Sequence, residues 1–356
     1  MQNKKYEKIA DKMDSYYEVT VACLGGSSHN NWVIFTFKFY KGDNMCTGIK
    51  INYEDGCVIG RTMDYEVPLN YNVIYLPKDY NFCNDLMGNP LNTKYKALGV
   101  CFDNQDILKD GVNEHGLIGI TNIFTGFNLY SNQTKAEKFN ISSLNYFTYA
   151  LTNYKSVEEL IEDLPNIYIS TKDNRGENVI SPDFHFMFAD STKRCIVIEP
   201  KRGELIYFEN PYDVMTNSPG FKSHVRRLNQ FLDLDNLEDF NSAKNLPGGY
   251  DPVSRFIKAF YLTKMNIKPN SYKEALSYSY NIMAAMTMPN GFVRNKKYNH
   301  NTYTRYICSY DSKHKLLTVK SNTNPTVYQL GFEDIEEKDK RQAFFLDTDF
   351  VVEKLK

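Results

Sequence analysis

Met45-Cys46-Thr47-Gly48 opens a run of alternating residues, and it offers the most distinctive chemistry in the chain. If Met45 were an initiator and were removed, Cys46 would become the N-terminal residue. Such a residue holds nucleophile and base together, because its own α-amine can take the thiol proton. A free α-amine has a pKa near ~7.7–8.0, well placed to accept a proton near neutrality. An amide nitrogen has no such capacity, so Cys46 lacks this base while residues 1–45 stay attached. On the tetrapeptide alone, a half-buried strand cysteine is an equally ordinary reading. Arg61-Thr62-Met63-Asp64 follows the next turn and could be a structural ion pair. Asn217, in Thr216-Asn217-Ser218-Pro219, has the residue type of a turn, and Arg255 could be an exposed arginine opening a helix.

Other sources of chemistry are poorly supported. The six histidines (29, 115, 185, 224, 300 and 314) fall at no ligand-like spacing and read as surface or packed residues. The sequence contains no G-x-S-x-G, H-E-x-x-H, phosphate-binding loop or G-x-G-x-x-G motif. The seven cysteines form no C-x-x-C pair, which argues against a zinc site and against a disulfide scaffold.

The elements that must position these residues come in blocks. Strands are expected at Thr47–Tyr53 and Cys57–Gly60, joined as a hairpin through Glu54-Asp55-Gly56, and at Tyr71–Leu76. Tyr95–Phe102 and Leu117–Phe124 read as a sheet pair flanking a polar connection. A helix is expected over Ser143–Thr152, and Ser156-Val157-Glu158-Glu159 is a capping box opening another that Pro165 ends. A meander should follow through His185–Ala189, Cys195–Glu199, Glu204–Phe208 and Val214–Thr216. Apolar residues at 3–4 spacing predict helices over Phe221–Leu232, Ser254–Met265 and Tyr272–Met286. Strands at Tyr303–Tyr310, Leu316–Lys320 and Thr326–Leu330 close the chain. Runs of strands, then helices, then strands predict an α+β layered domain.

Length and charge narrow the class. The 356 residues, 42% hydrophobic, suffice for a sizeable core. Lys plus Arg number 42 against 43 Asp plus Glu, and this balance argues against nucleic-acid binding and membrane attraction. No apolar run reaches the roughly eighteen residues of a spanning helix. The first forty-four residues differ from the rest: charges and aromatics mix, and Gly25-Gly26-Ser27-Ser28 separates the short apolar pieces Val19–Leu24 and Trp32–Phe37. They could be a poorly ordered tail, an edge strand or a segment foreign to the native protein.

Taken together, Met45-Cys46-Thr47-Gly48-Ile49 and Gly60-Arg61-Thr62-Met63-Asp64 resemble the start of the choloylglycine hydrolase family. That family comprises bile salt hydrolases and penicillin V acylases within the N-terminal-nucleophile hydrolases. The likeness runs on through Thr93-Lys94-Tyr95, Asp110-Gly111-Val112-Asn113-Glu114-His115-Gly116-Leu117 and Thr216-Asn217-Ser218-Pro219. It continues in Leu246-Pro247-Gly248-Gly249-Tyr250 and Pro252-Val253-Ser254-Arg255-Phe256, and so covers essentially residues 45–330.

The resemblance implies a four-layer αββα sandwich and cleavage of a linear amide through a thioester on Cys46, without metal or cofactor. It implies that Arg61 favours thiolate, that Asp64 accepts from and orients the α-amine, that Asn217 donates to the oxyanion, and that Arg255 braces the cluster. A backbone N–H near Asn122 would complete the oxyanion site; residue type favours Asn122 there, whereas spacing from Gly116 points to Ile123. The implied substrate is a small amide with a bulky apolar acyl group, most simply a glycine or taurine bile salt. Penicillin V and N-acyl-homoserine lactones are the alternatives, and a chain whose Cys46 stays blocked would be a silent binding protein. Loops 65–75 and 125–140 carry the candidate acyl pocket: Tyr65, Leu69, Tyr71, Phe127, Leu129 and Tyr130.

A cytoplasmic, bacterial enzyme is expected, since no export signal is visible and the thiol must stay reduced. A homo-oligomer is conceivable. Many relatives assemble tetramers through an excursion that is only a short acidic stretch here (Asp233, Asp235, Glu238, Asp239), which leaves tetramers in doubt. The working domain is expected to be residues 46–356. The leader would be a propeptide or a misassigned start, because Lys41-Gly42-Asp43-Asn44 can be encoded with a ribosome-binding GGAG just before the Met45 codon.

Overall fold

The computed structural model describes residues 16–24, 32–40, 45–66, 70–231, 246–265, 267–295, 300–352 and 354. Two large sheets face each other. The first runs in the order Val214–Met215, Cys46–Asn52, Cys57–Tyr65, His300–Asp311, Leu316–Ser321 and Tyr328–Gly331, with Val293–Asn295 also pairing to His300–Asp311. The second runs Glu204–Glu209, Cys195–Lys201, Phe184–Ala189, Ile118–Ile123, Leu108–Asn113, Ala97–Phe102, Tyr71–Leu76 and Gln342–Phe345. Helices Pro252–Lys264 and Tyr272–Met286 cover the first sheet and Ser143–Asn153 the second, so the layers stack as αββα.

Strand periodicity explains the layering. In the Cys46–Asn52 strand, Ile49 and Ile51 are buried and so are the neighbours between them, as a strand covered on both faces requires. One apolar cluster lies around the first sheet and between the sheets, with Ile118, Ile120, Tyr306 and Met187. Another lies under helix Ser143–Asn153, with Phe147, Leu151 and Phe188. Gly48 permits close approach of the sheets: a Cβ there would stand 2.1 Å from Ile120 Cδ1.

Three expectations change. Tyr95–Phe102 and Leu117–Phe124 do not pair; the polar segment between them is itself the strand Leu108–Asn113, hydrogen-bonded to both neighbours. Its Asp110 faces inward because Arg61, Tyr306 and Tyr310 surround the carboxylate. The segment Val214–Met215 leaves the meander and pairs with Cys46–Asn52 in the other sheet, Met215 opposite Gly48. That crossing carries Asn217 to the nucleophile. The leader residues Tyr16–Leu24 and Trp32–Tyr40 pair with each other in a separate two-stranded sheet, so neither is an edge strand of the main sheets.

Helix boundaries follow local chemistry. Ser156 Oγ accepts from Glu159 N at 3.2 Å, while the Glu159 carboxylate reaches Lys155 N, and Pro165 lies in the short turn that ends the helix. Asp251 caps Pro252–Lys264 by accepting from the Val253 and Ser254 amides, which fixes where Arg255 emerges. No helix among the described residues is long and apolar enough to cross a membrane.

Candidate active site

The hairpin register places the reactive residues. Cys46 lies opposite Met63 and Gly48 opposite Arg61, so the sulfur, Met63 and the guanidinium share the inter-sheet face. Thr47, Thr62 and Asp64 alternate onto the helix face, where Arg255 descends from its helix. Cys46 is 1% exposed, and Arg61 Nη2 stands 3.8 Å from its sulfur. Arg255 Nη1 donates to Cys46 O at 2.6 Å and to Thr47 Oγ1 at 2.7 Å, and Nη2 donates to Asn217 Oδ1 at 2.9 Å. Cys46 N also donates to Asn217 Oδ1, at 2.7 Å. Five of the six expected catalytic positions therefore meet around one backbone nitrogen and one sulfur, or one residue from them: Cys46, Arg61, Asp64, Asn217 and Arg255.

Their partners differ in part from the expected ones. Arg61 pairs with Asp110, not with Asp64. The Asp64 carboxylate receives the hydroxyls of Thr304 at 2.6 Å and Thr62 at 3.1 Å. With Met45 attached, the Cys46 nitrogen is a peptide amide turned to Asn217. Asn217 Nδ2 donates to Ile123 O at 2.9 Å. Asn122 reaches across the sheets, its Nδ2 donating to Thr216 O at 2.9 Å and Met215 O at 3.2 Å. Asn122 thus secures the strand that delivers Asn217, while Ile123 meets Asn217 directly.

The electrostatics say what the thiol needs. Burial pushes the Cys46 thiol up, outweighing the opposing pull of Arg61. A thiol so held is not a ready thiolate and requires a base at hand. Burial also pushes the Asp64 carboxyl from 3.8 up to about 6, against Arg255 and the two threonine hydroxyls. A carboxyl with a raised folded-state pKa stabilises the fold fully below its unfolded value and loses that contribution as pH climbs through about 6. Thermal midpoints of the parent should therefore fall between about pH 4 and pH 6 relative to those of Asp64→Asn. Parallel curves for the two proteins would contradict this.

Several supporting residues carry no sequence signal of their role. Asp110, fully buried, receives Arg61, Tyr306 at 2.7 Å and Tyr310. Removing that carboxylate strands a buried guanidinium, so Asp110→Ala should cost about 3–5 kcal/mol in urea unfolding; a loss below about 1 kcal/mol would contradict the pairing. His185 Nε2 bonds Thr216 O at 2.9 Å and His224 Nε2 bonds Asn217 O at 2.8 Å. Burial lowers His224 to about 4, so the ring stays neutral and serves as donor to that carbonyl. Histidines separated so widely in sequence show no spacing that would link them.

The candidate pocket residues divide. Tyr65 packs 5.9 Å from Phe102, and it directly follows Asp64. Phe127, 49% exposed, lies against Phe124, which stacks on His185, while Ser218 Oγ bonds Thr125 O. These two border the cluster. Tyr71 spends its hydroxyl on Arg305 O at 3.1 Å and stacks near Tyr306. Tyr130 donates to Pro182 O at 2.7 Å and accepts from Phe184 N. Leu129 bridges to Lys201 and is 52% exposed, toward the far edge of the second sheet. Leu69 and the acidic stretch 233–239 lie outside the described residues.

Comparison with known proteins agrees with this arrangement. Residues 46–341 match the linear amide C–N hydrolases of the choloylglycine hydrolase family. A bile salt hydrolase/transferase from Clostridium perfringens is 32% identical over 284 residues, which span 74% of this chain and 86% of that protein. The structure of a mutant conjugated bile acid hydrolase from Clostridium perfringens superposes with a TM-score of 0.77 at 26% identity, over 87% of this chain and all of that one. A penicillin V acylase from Agrobacterium tumefaciens shares the fold, with a TM-score of 0.68 at 19% identity over 84% of this chain and 90% of that one.

Proposed function

We propose that this chain, which belongs to the choloylglycine hydrolase family of linear amide C–N hydrolases, deconjugates bile salts through an N-terminal Cys46. The observation that carries this reading is the buried meeting of Cys46, Arg61, Asn217 and Arg255 at the start of a sheet strand. The burial-raised thiol adds to it, because such a sulfur needs a base, and a freed α-amine on the same residue would supply one.

The working form then starts at Cys46, with residues 1–45 absent either because translation starts at Met45 or because they are a removed leader. The amine, oriented by Asp64, takes the thiol proton, and sulfur attacks the amide carbonyl. Asn217 and a backbone N–H at Asn122 or Ile123 hold the oxyanion. Collapse breaks the C–N bond as the protonated amine gives its proton to the leaving nitrogen. Water, losing its proton to the same amine, hydrolyses the thioester and releases the acid. Every proton is returned, so the cycle closes without an added cofactor. Tyr65 and Phe127 would contact the apolar acyl group. A reduced thiol suits the cytoplasm.

The test is a purified chain beginning at Cys46, incubated with glycocholate, taurocholate and penicillin V. Release of glycine or taurine is the expected result. Release of 6-aminopenicillanate alone would move the assignment to penicillin V acylase, and no turnover of any of the three would overturn the reading.

A further inference from the structure

Lys109 lies in the strand Leu108–Asn113 and is 6% exposed. Among the described residues its amine has no hydrogen-bond acceptor and no ion pair; it sits 5.7 Å from the ring centroids of both Phe102 and Phe184. Lys50 shows the ordinary solution to such burial: at 3% exposure it meets Asp213 at 3.0 Å and the Lys193 carbonyl. Two aromatic faces contribute about 0.5–1 kcal/mol each, short of the several kcal/mol that an unpaired buried ammonium costs. Burial lowers the Lys109 amine to about 8, so at neutral pH it is still mostly protonated. A protonated amine in this setting calls for an anion.

Its surroundings belong to the candidate active site. Lys109 O accepts from Arg61 Nη1 at 3.2 Å and from Thr121 Oγ1 at 2.9 Å. Phe102 packs on Tyr65, one residue past Asp64. Phe184 is the cross-strand partner of Ile123, whose carbonyl receives Asn217. The amine therefore stands between two rings that each adjoin one side of the Cys46 cluster.

We infer that Lys109 Nζ receives the anionic group of the substrate, a carboxylate or sulfonate on the amine half of an N-acyl amino acid. In such a molecule the acyl half has spent its own carboxyl on the amide, so the amine half supplies the anion. This role presupposes the amide-hydrolase reading, but it can be measured without turnover.

Calorimetric titration of Cys46→Ala with glycocholate and with the neutral ethanolamide of cholic acid reads it directly. The parent should bind glycocholate at least tenfold more tightly than the ethanolamide. Adding Lys109→Met should shrink that ratio below threefold without weakening the ethanolamide, and Lys109→Arg should restore it. An unchanged ratio in Lys109→Met, no preference in the parent, or no binding of either compound would overturn the assignment. Turnover by the chain beginning at Cys46 is measured alongside. Its absence with the binding preference intact would sink the hydrolase reading and leave Lys109 standing. Equal turnover ratios with and without Lys109→Met would sink Lys109 and leave the hydrolase.

Discussion

Cys46→Ala should lower amide hydrolysis by on the order of 10⁴-fold or more, because no other group in the cluster can form the thioester. The fold should survive. Cys46 contributes a small buried side chain beside Met63, and its backbone contacts with Asn217 and Arg255 do not involve the sulfur. Far-ultraviolet circular dichroism should match the parent, with a loss of stability of about 1 kcal/mol for the missing sulfur. Residual turnover within tenfold of the parent would remove Cys46 from the mechanism.

Asn217→Ala carries the second large effect. Removing an oxyanion donor typically lowers kcat by about 10²–10³-fold. The same substitution also deprives Arg255 Nη2 and Cys46 N of their shared acceptor, so stability would fall with activity and blur the reading. Asn217→Asp separates the two. It keeps an acceptor for Arg255 and Cys46 but no longer donates, so it should unfold near the parent midpoint while losing kcat to a similar degree. Parent-like kcat in Asn217→Asp would show that the side-chain amide stabilises no oxyanion.

Much of this site could be read from the sequence, for identifiable reasons. The hairpin at Glu54–Gly56 fixes the register that puts Cys46 and Arg61 on one face, and period-two alternation reveals it. The cap at Asp251 sets where Arg255 emerges, and N-cap chemistry is local. What the sequence hid is non-local. Leu108–Asn113 looks like a polar connection because its Asp110 and Lys109 are charged. Asp110 is buried because Arg61, Tyr306 and Tyr310 reach it from the other sheet, and no periodicity encodes partners some fifty and two hundred residues away. Val214–Met215 reads as the next turn of a meander, since local pattern cannot say which sheet a short strand joins. Tyr71 and Tyr130 have the composition of a pocket, but their hydroxyls go to backbone groups that only the tertiary fold brings near.

The leader is where sequence and chemistry bear on each other most directly. In the full chain the Cys46 nitrogen is an amide bonded to Asn217, and Met45 beside it is buried. A nitrogen in that state accepts no proton from the thiol. Intact mass spectrometry combined with glycocholate turnover, on the 356-residue chain and on a chain beginning at Cys46, tests the account most directly. The account predicts glycine release only by molecules whose mass corresponds to a start at Cys46, with activity in the longer preparation tracking any fraction that has been trimmed. A chain whose mass retains residues 1–45 and which releases glycine as fast as the trimmed one would contradict it.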